Sequence, residues 1–439
     1  MTTQYFDLVS GSNANSGLNE LLPKQHADTD GNGTGATMSA GQIALFKRGQ
    51  NHPIASNFIF RSNMRWASYG SGTKPKLQKT STTGRLLIMA DSVDVSGVVI
   101  QDLDVDANGQ LTSAAVLELW AFGAFTTSNI QLLNLELFGS PDHVGLGIGT
   151  DATGQVTNVK ADSCIFRDNA NHGAMSGGNS SYHLYTLCKA LRNGFAVGAH
   201  GFSSFGTDAG HPSKGITWKL CESAFNFDYL RGGEGTAYQF DNFCTFSAAL
   251  ACLAHHNQGA AYRSNANAGG NRVVGSIGYA NDYEGASAIN SPNFLLANSV
   301  LDKNCRIPSG PVYAEVQYTA GSTGGKVINV ILVGDLTVTR GIDADGTSTG
   351  LTVTTNCIYN FATPTGGAGA PTVTGTISTD PLFVNAAARN YRLQSASPCI
   401  GAGTWPGSKI VTQDGFTMSG PYDVGAYWSK GPTANSRSM

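Results

Sequence analysis

The chain has 439 residues, and its 13% charged content is about half the roughly 25% of an ordinary soluble domain. Its 55 Gly and few charged residues argue against a helical protein and for many short strands joined by tight turns. With 27 Lys+Arg against 30 Asp+Glu, a formal net charge of -3 and no block of like charges, phosphate-dominated nucleic-acid binding is disfavoured.

Other classes fall away for similar reasons. The richest apolar stretch, Ala114 to Phe125, is interrupted by Glu118 and is too short to span a membrane. The opening MTTQYFD has no basic segment followed by an apolar one, so no secretion signal is read there and the chain is expected to stay in the cytosol or to leave by another route, such as inside a virus particle. Eight Cys without a C-x-x-C pair or zinc-like spacing are expected to be free thiols.

In chain order, residues 1–80 are expected to form an N-terminal cap and the first strands. They contain the segments 5–17 (YFDLVSGSNANSG), 39–49 (SAGQIALFKRG) and 67–75 (ASYGSGTKP). Residues 81–375 carry a repeat. Cys164, Cys188, Cys221, Cys252 and Ser276 each precede an Asn by five residues: Asn169, Asn193, Asn226, Asn257 and Asn281. Successive Asn stand 24, 33, 31 and 24 residues apart, so the unit length varies while the local pattern holds. Short strands recurring at this period, without helical periodicity, describe an all-β fold, a single-stranded right-handed parallel β-helix of roughly ten coils. A propeller blade needs about 40 to 50 residues, and a sandwich would not keep an Asn column in register. Asn at the corner is expected to take the left-handed backbone conformation and to hydrogen-bond to the Asn of the next coil. The Cys column is expected to stack in the core.

Residues 376–439 are expected to close the other end. They include Asp380-Pro-Leu-Phe383, the segment 391–403 (YRLQSASPCIGAG) and Asp423-Val-Gly-Ala-Tyr427. Together with the N-terminal segments, these resemble the opening and closing stretches of the pectate-lyase-like superfamily of right-handed parallel β-helix proteins. The resemblance implies a polysaccharide lyase, hydrolase or epimerase, or a phage tailspike, and tailspikes are commonly homotrimers.

The candidate cleft follows from the turns. The two longest connections after the corner Asn run from 193 to 201 and from 226 to 236, on adjacent coils. The second gathers Asp228, Tyr229, Arg231 and Glu234, and the insertion 207–214 adds Asp208 and His211. Glu234 is the expected general acid or base, its carboxyl shielded by Tyr229 and Phe227, with Asp228 and His200 as catalytic partners. Arg231, Tyr229, His172, His143, Asp208 and His211 are expected to bind substrate, with His143, His172 and His200 stacked on consecutive coils. Glu234 and Glu284, one column further back, would lie about 10 Å apart. Phe195, Phe202 and Tyr262 are either sugar platforms or core.

No cofactor is expected. Asp102, Asp104 and Asp106 could bind calcium but fit a solvated strand edge better, and His255-His256 has no third ligand at zinc spacing. The leading expectation is a tailspike-like protein that binds host polysaccharide or lipopolysaccharide and depolymerises it, as a homotrimer beside other virion tail proteins. The alternatives are a free polysaccharide lyase, glycoside hydrolase or epimerase, and a non-catalytic adhesive or structural virion protein.

Overall fold

In the strand Ile43–Lys47, Ala44 and Phe46 are buried and their neighbours are half-buried, the two-residue period of a strand with one face on a core. This pattern recurs throughout the computed structural model, which describes residues 2–12, 14–21, 23–25, 38–82, 85–89, 93–111, 114–151, 153–196, 199–228, 234–307, 314–336, 338 and 340–430. The chain divides into two units, Met1–Ile216 with Asn226–Gly232, and Thr217–Phe225 with Gly233–Met439.

In the first unit a first sheet joins Ile43–Lys47, Arg65–Tyr69, Val99–Gln101, Thr126–Leu133, Gln155–Asp162 and Leu184–Thr186, all in parallel. A second sheet joins Asn51–Ile54, Lys76–Lys79, Asp104–Asp106, Glu136–Phe138, Ile165–Arg167 and Lys189–Leu191. A third joins Phe58–Phe60, Leu87–Met89, Leu117–Ala121, Leu146–Thr150, Ala174–Gly177 and Phe202–Phe205. The parallel ladder begins at Thr3–Phe6, which pairs with Ile43–Lys47 well before residue 81.

The second unit repeats this arrangement. Its first sheet runs from Thr217–Lys219 through Ala248–Leu250, Arg272–Val274, Leu295–Ala297 and Lys326–Ile328 to Thr352–Thr354 and Thr372–Thr374. The second contains Glu222–Ala224, Leu253–His255, Ile277–Tyr279, Val300–Asp302, Ile331–Val333 and Cys357–Tyr359. The third contains Tyr238–Asp241, Tyr262–Asn265, Ala286–Ile289, Ala314–Thr319, Arg340–Ala344 and Thr363–Gly366. Each coil gives one strand to each sheet, and no helix occurs among the described residues. Each unit is thus a three-sheet parallel β-solenoid, and crossovers between parallel strands wind right-handed.

The Asn column is a buried hydrogen-bonded ladder within each unit. In the first, Asn169 Nδ2 donates to Asn193 Oδ1 (3.0 Å) and Asn193 Nδ2 to Asn226 Oδ1 (3.1 Å). In the second, Asn257 donates to Asn281 (2.8 Å) and Asn281 to Asn304 (2.7 Å). All are fully buried or nearly so. The expected left-handed Asn is corrected by the backbone. The left-handed residue is the one before each ladder Asn, namely Asp168, Arg192, Phe225, His256, Ala280 and Lys303, with φ between 51° and 58°. The outward side chain takes the bend, at a cost of roughly 1–2 kcal/mol. The Asn points inward, where its amide satisfies both its own coil and the next.

A second left-handed residue precedes each column Cys: Ser163, Leu187, Leu220 and Ala251. All eight Cys are buried free thiols. The Cys column continues into Ser276, whose Oγ accepts from Cys252 N (3.1 Å). Native protein treated with a thiol reagent is therefore expected to react negligibly until unfolded, when all eight react. Rapid labelling of Cys164, Cys188, Cys221 or Cys252 in the folded state would contradict the stacked assignment.

The C-terminal residues turn back over the second unit. The hairpin of Phe383–Asn385 and Asn390–Leu393 brings Tyr391 into a cluster with Ile277, Val300, Ile331, Cys357 and Cys399. The hairpin of Ile410–Val411 and Thr417–Met418 packs on Val274 and Ala297. This segment, expected to close the solenoid's end, packs on flanks of the second unit's second and first sheets.

Candidate functional site

His172 and His200 lie two residues before Ala174 and Phe202, which pair in register. Their rings stack with centroids 5.1 Å apart at 21°, and the His200 amide donates to His172 Nδ1 (2.9 Å). That bond assigns the lone pair of neutral His172 to Nδ1 and its proton to Nε2. His143 departs from the expected column. It lies three residues before Leu146, which pairs with Ala174, so it sits one residue out of register. The cause is turn length. Ser140 takes the ladder place beside Asn169, its amide donating to Asn169 Oδ1 (3.2 Å), and the turn that follows is one residue longer than the turn after Asn169. His143 Nδ1 accepts from Val144 N (2.9 Å), and burial lowers its pKa against the opposing charge of Asp142.

The other expected site residues divide. Asp208 and His211 meet through Oδ1 and Nδ1 (3.0 Å) in an exposed turn, and the Asp208 carboxyl also accepts from Gly210 N (2.7 Å). The His211 hydrogen bond, with that of Gly210, lowers the Asp208 pKa. Asp228 is buried and belongs to the first unit; Glu234 is exposed and belongs to the second. Tyr229 and Arg231 lie outside the described residues, so the shielding of Glu234 expected from Tyr229 does too. Glu234 and Glu284 do not share a column. Tyr238, Tyr262 and Ala286 pair in register, and Glu234 lies four residues before Tyr238 while Glu284 lies two before Ala286. Glu284 is engaged by Arg263 (3.2 Å). Phe202 and Tyr262 are core, whereas Phe195 is exposed.

Each acid of the possible calcium strand faces a cation from a neighbouring coil. Asp104 meets Lys74 (2.7 Å), Asp106 meets Lys76 (3.6 Å) and Asp102 meets Arg48 (3.9 Å). Among the described residues no group of three or more His, Cys, Asp or Glu is placed to hold a metal ion.

No protein-family model and no curated protein sequence matches the chain. Solved structures do. The chain is similar to the A-module of Azotobacter vinelandii mannuronan C-5 epimerase AlgE6, with 10% identity over 78% of this chain and 91% of that one and a TM-score of 0.60. The AlgE4 A-module of the same organism matches at 10% identity over 77% and 91%, with a TM-score of 0.55. The periplasmic alginate epimerase AlgG matches at 10% identity over 79% and 80%, with a TM-score of 0.53. The chain has the pectate-lyase-like right-handed β-helix fold.

On this β-helix an acid–base cluster of the second unit lies where the sequence pointed to no function. His255 ends the second-sheet strand Leu253–His255, and the next coil puts Tyr279 against it, the rings stacked at 5.0 Å and 4°. Glu222, one coil earlier, faces His255 Nε2 (3.2 Å), and His256 Nδ1 faces His255 Nδ1 (3.0 Å). The Arg389 guanidinium, from the C-terminal segment, lies 4.4 Å over the Tyr279 ring. The adjacent His255-His256 pair was the signal in the sequence; its partners come from other coils and from a segment more than a hundred residues later.

Proposed function

We propose that this chain binds a long polysaccharide along its solenoid and depolymerises it, as a tailspike-type reader of a host-surface glycan. The observation that carries this reading is the stacking of His172 and His200 on consecutive coils, because parallel coils repeat side chains about 4.8 Å apart, a spacing suited to an extended sugar chain. The structural neighbours named for mannuronan and alginate support a polysaccharide as the ligand class. In this reading Glu234 serves as general acid or base, Asp228 and His200 assist it, and Tyr229, Arg231, His143, His172, Asp208 and His211 contact the sugar. The protein works as a homotrimer on a virus particle.

The epimerase neighbours favour a second reading, a sugar epimerase that leaves chain length unchanged. Products separate the two: depolymerisation creates new chain ends, and epimerisation alters sugar configuration alone. Glu234→Gln is expected to lower the release of new ends at least about a hundredfold while leaving binding largely intact. Full turnover by that variant would dismiss Glu234 as the acid or base.

A further inference from the structure

The Glu222, His255 and His256 contacts fix an order of protons. A carboxylate only accepts, so the hydrogen between Glu222 Oε1 and His255 Nε2 belongs to His255. Neutral His255 then has its lone pair on Nδ1. The 3.0 Å contact between the two Nδ1 atoms needs one hydrogen, and His256 must supply it. The lone pair of His256 is thereby assigned to Nε2. Burial above all, with the Arg306 and Arg389 charges beside it, lowers the His256 pKa and favours this neutral form.

The surroundings hold that ring in place. Phe225 stacks on His256 at 5.2 Å and 19°, and Tyr279 meets it edge-on at 5.6 Å. Phe225 is 47% exposed, so the stack reaches solvent. Two guanidinium groups stand nearby, both partly exposed. Arg389 meets Asp302 (3.4 Å) and Tyr391 Oη (3.4 Å) through Nη1, and Tyr391 Oη donates to Asp302 (2.7 Å). Arg306 meets Ala280 O (3.3 Å) and Asp282 (3.9 Å), also through Nη1. Each planar fork retains donors suited to a carboxylate or sulfate.

We infer that Glu222, His255 and His256 form a proton relay whose outer end, His256 Nε2, takes a proton from a bound sugar carrying an anionic group held by Arg306 and Arg389. The inference rests on the polysaccharide reading for its ligand and on none of the site residues named there. The substrate bond to hydrogen breaks with its electron pair left on the substrate. The proton goes to His256 Nε2, and the resulting imidazolium is stabilised through His255 by the Glu222 carboxylate.

Histidine nitrogen NMR of the full chain reads the relay without any ligand. The expected spectrum has neutral His256 protonated on Nδ1, and Glu222→Leu redistributes that tautomer because it removes the acceptor that holds the His255 proton on Nε2. A His256 protonated on Nε2 in the unmodified protein, or unchanged by Glu222→Leu, overturns the relay. Mannuronate oligomers then probe the anion site. Arg306→Ala with Arg389→Ala is expected to weaken their binding at least about tenfold, and undiminished binding overturns the anion assignment. His256→Asn, chosen because asparagine tolerates the 54° φ found there, is expected to cut turnover of the anionic polymer at least about a hundredfold with unchanged thermal stability. Normal turnover by this variant overturns the relay and leaves the polysaccharide reading standing, whereas absence of any polysaccharide binding by the unmodified chain removes that reading and leaves the tautomer result intact.

Discussion

Asn281→Ala is expected to destabilise the protein by about 3–5 kcal/mol, far more than loss of an exposed Asn side chain. Asn281 Oδ1 accepts from Asn257 N (3.0 Å) and Nδ2 (2.8 Å). Its Nδ2 donates to Ala254 O (3.1 Å), Tyr279 O (3.2 Å) and Asn304 Oδ1 (2.7 Å). The residue is fully buried, so no water replaces these partners when the side chain is removed. Each stranded group then costs roughly 1–3 kcal/mol. Asn290 is the control, since it also bonds from coil to coil, donating to Asn267 Oδ1 (3.0 Å), but does so in solvent. Asn290→Gly, chosen because the 48° φ there would strain Ala, is expected to cost less than about 1 kcal/mol. Unfolding midpoints in urea give the comparison. Equal losses for the two variants would show that burial of the ladder is not what stabilises the coil.

A second large effect lies at the end of this ladder. Asn304 N donates to Glu315 Oε2 (3.2 Å) and Asn304 Nδ2 to Glu315 Oε1. Burial raises the Glu315 pKa from 4.5 to about 8, against the opposing hydrogen bonds from Asn304. A group whose folded pKa lies above its unfolded value binds its proton more tightly in the folded state. Its contribution is therefore complete below pH 4.5 and is lost as pH rises through about 8. The loss across this window is on the order of 5 kcal/mol. Glu315→Gln removes the titration but also the acceptor at Oε2. The variant is expected to be about 1 kcal/mol less stable than the unmodified protein near pH 5 and more stable near pH 9. Unfolding measured across that range should show the two curves crossing. Parallel curves would mean that Glu315 does not carry the alkaline loss.

Much of the coil was legible because one-dimensional spacing maps directly onto a solenoid. The five-residue interval from Cys164 to Asn169 is a strand with its two corners, and it recurs because the same corner must recur. The ladder extends beyond what that interval reveals. Ser140 joins it before Asn169, and Glu315 receives it after Asn304, since either chemistry accepts the same bonds. Register within the turns was less legible. One additional residue after Ser140 moves His143 off the column of His172 and His200, and the two residues separating Glu234 from the Glu284 position arise in the same way. The location of the bend was also hidden. Asn tolerates left-handed φ in isolation, but here its amide is worth more facing inward, so Arg192, Phe225 and His256 take the strained backbone. Glu222 and Arg389 could not be assigned to His255 from spacing, because one arrives from the preceding coil and the other with the C-terminal hairpin.

What the folded chain does to a polymer of sugars is the most direct test of its function. The full chain, incubated with mannuronan, pectate and surface polysaccharides purified from candidate bacterial hosts, can be followed by size-exclusion chromatography of the polymer together with retention of the protein on each immobilised glycan. Retention on at least one glycan and a progressive fall in that polymer's size are expected. A correctly folded chain, with its eight thiols protected, that neither binds nor shortens any of them would contradict the proposed function.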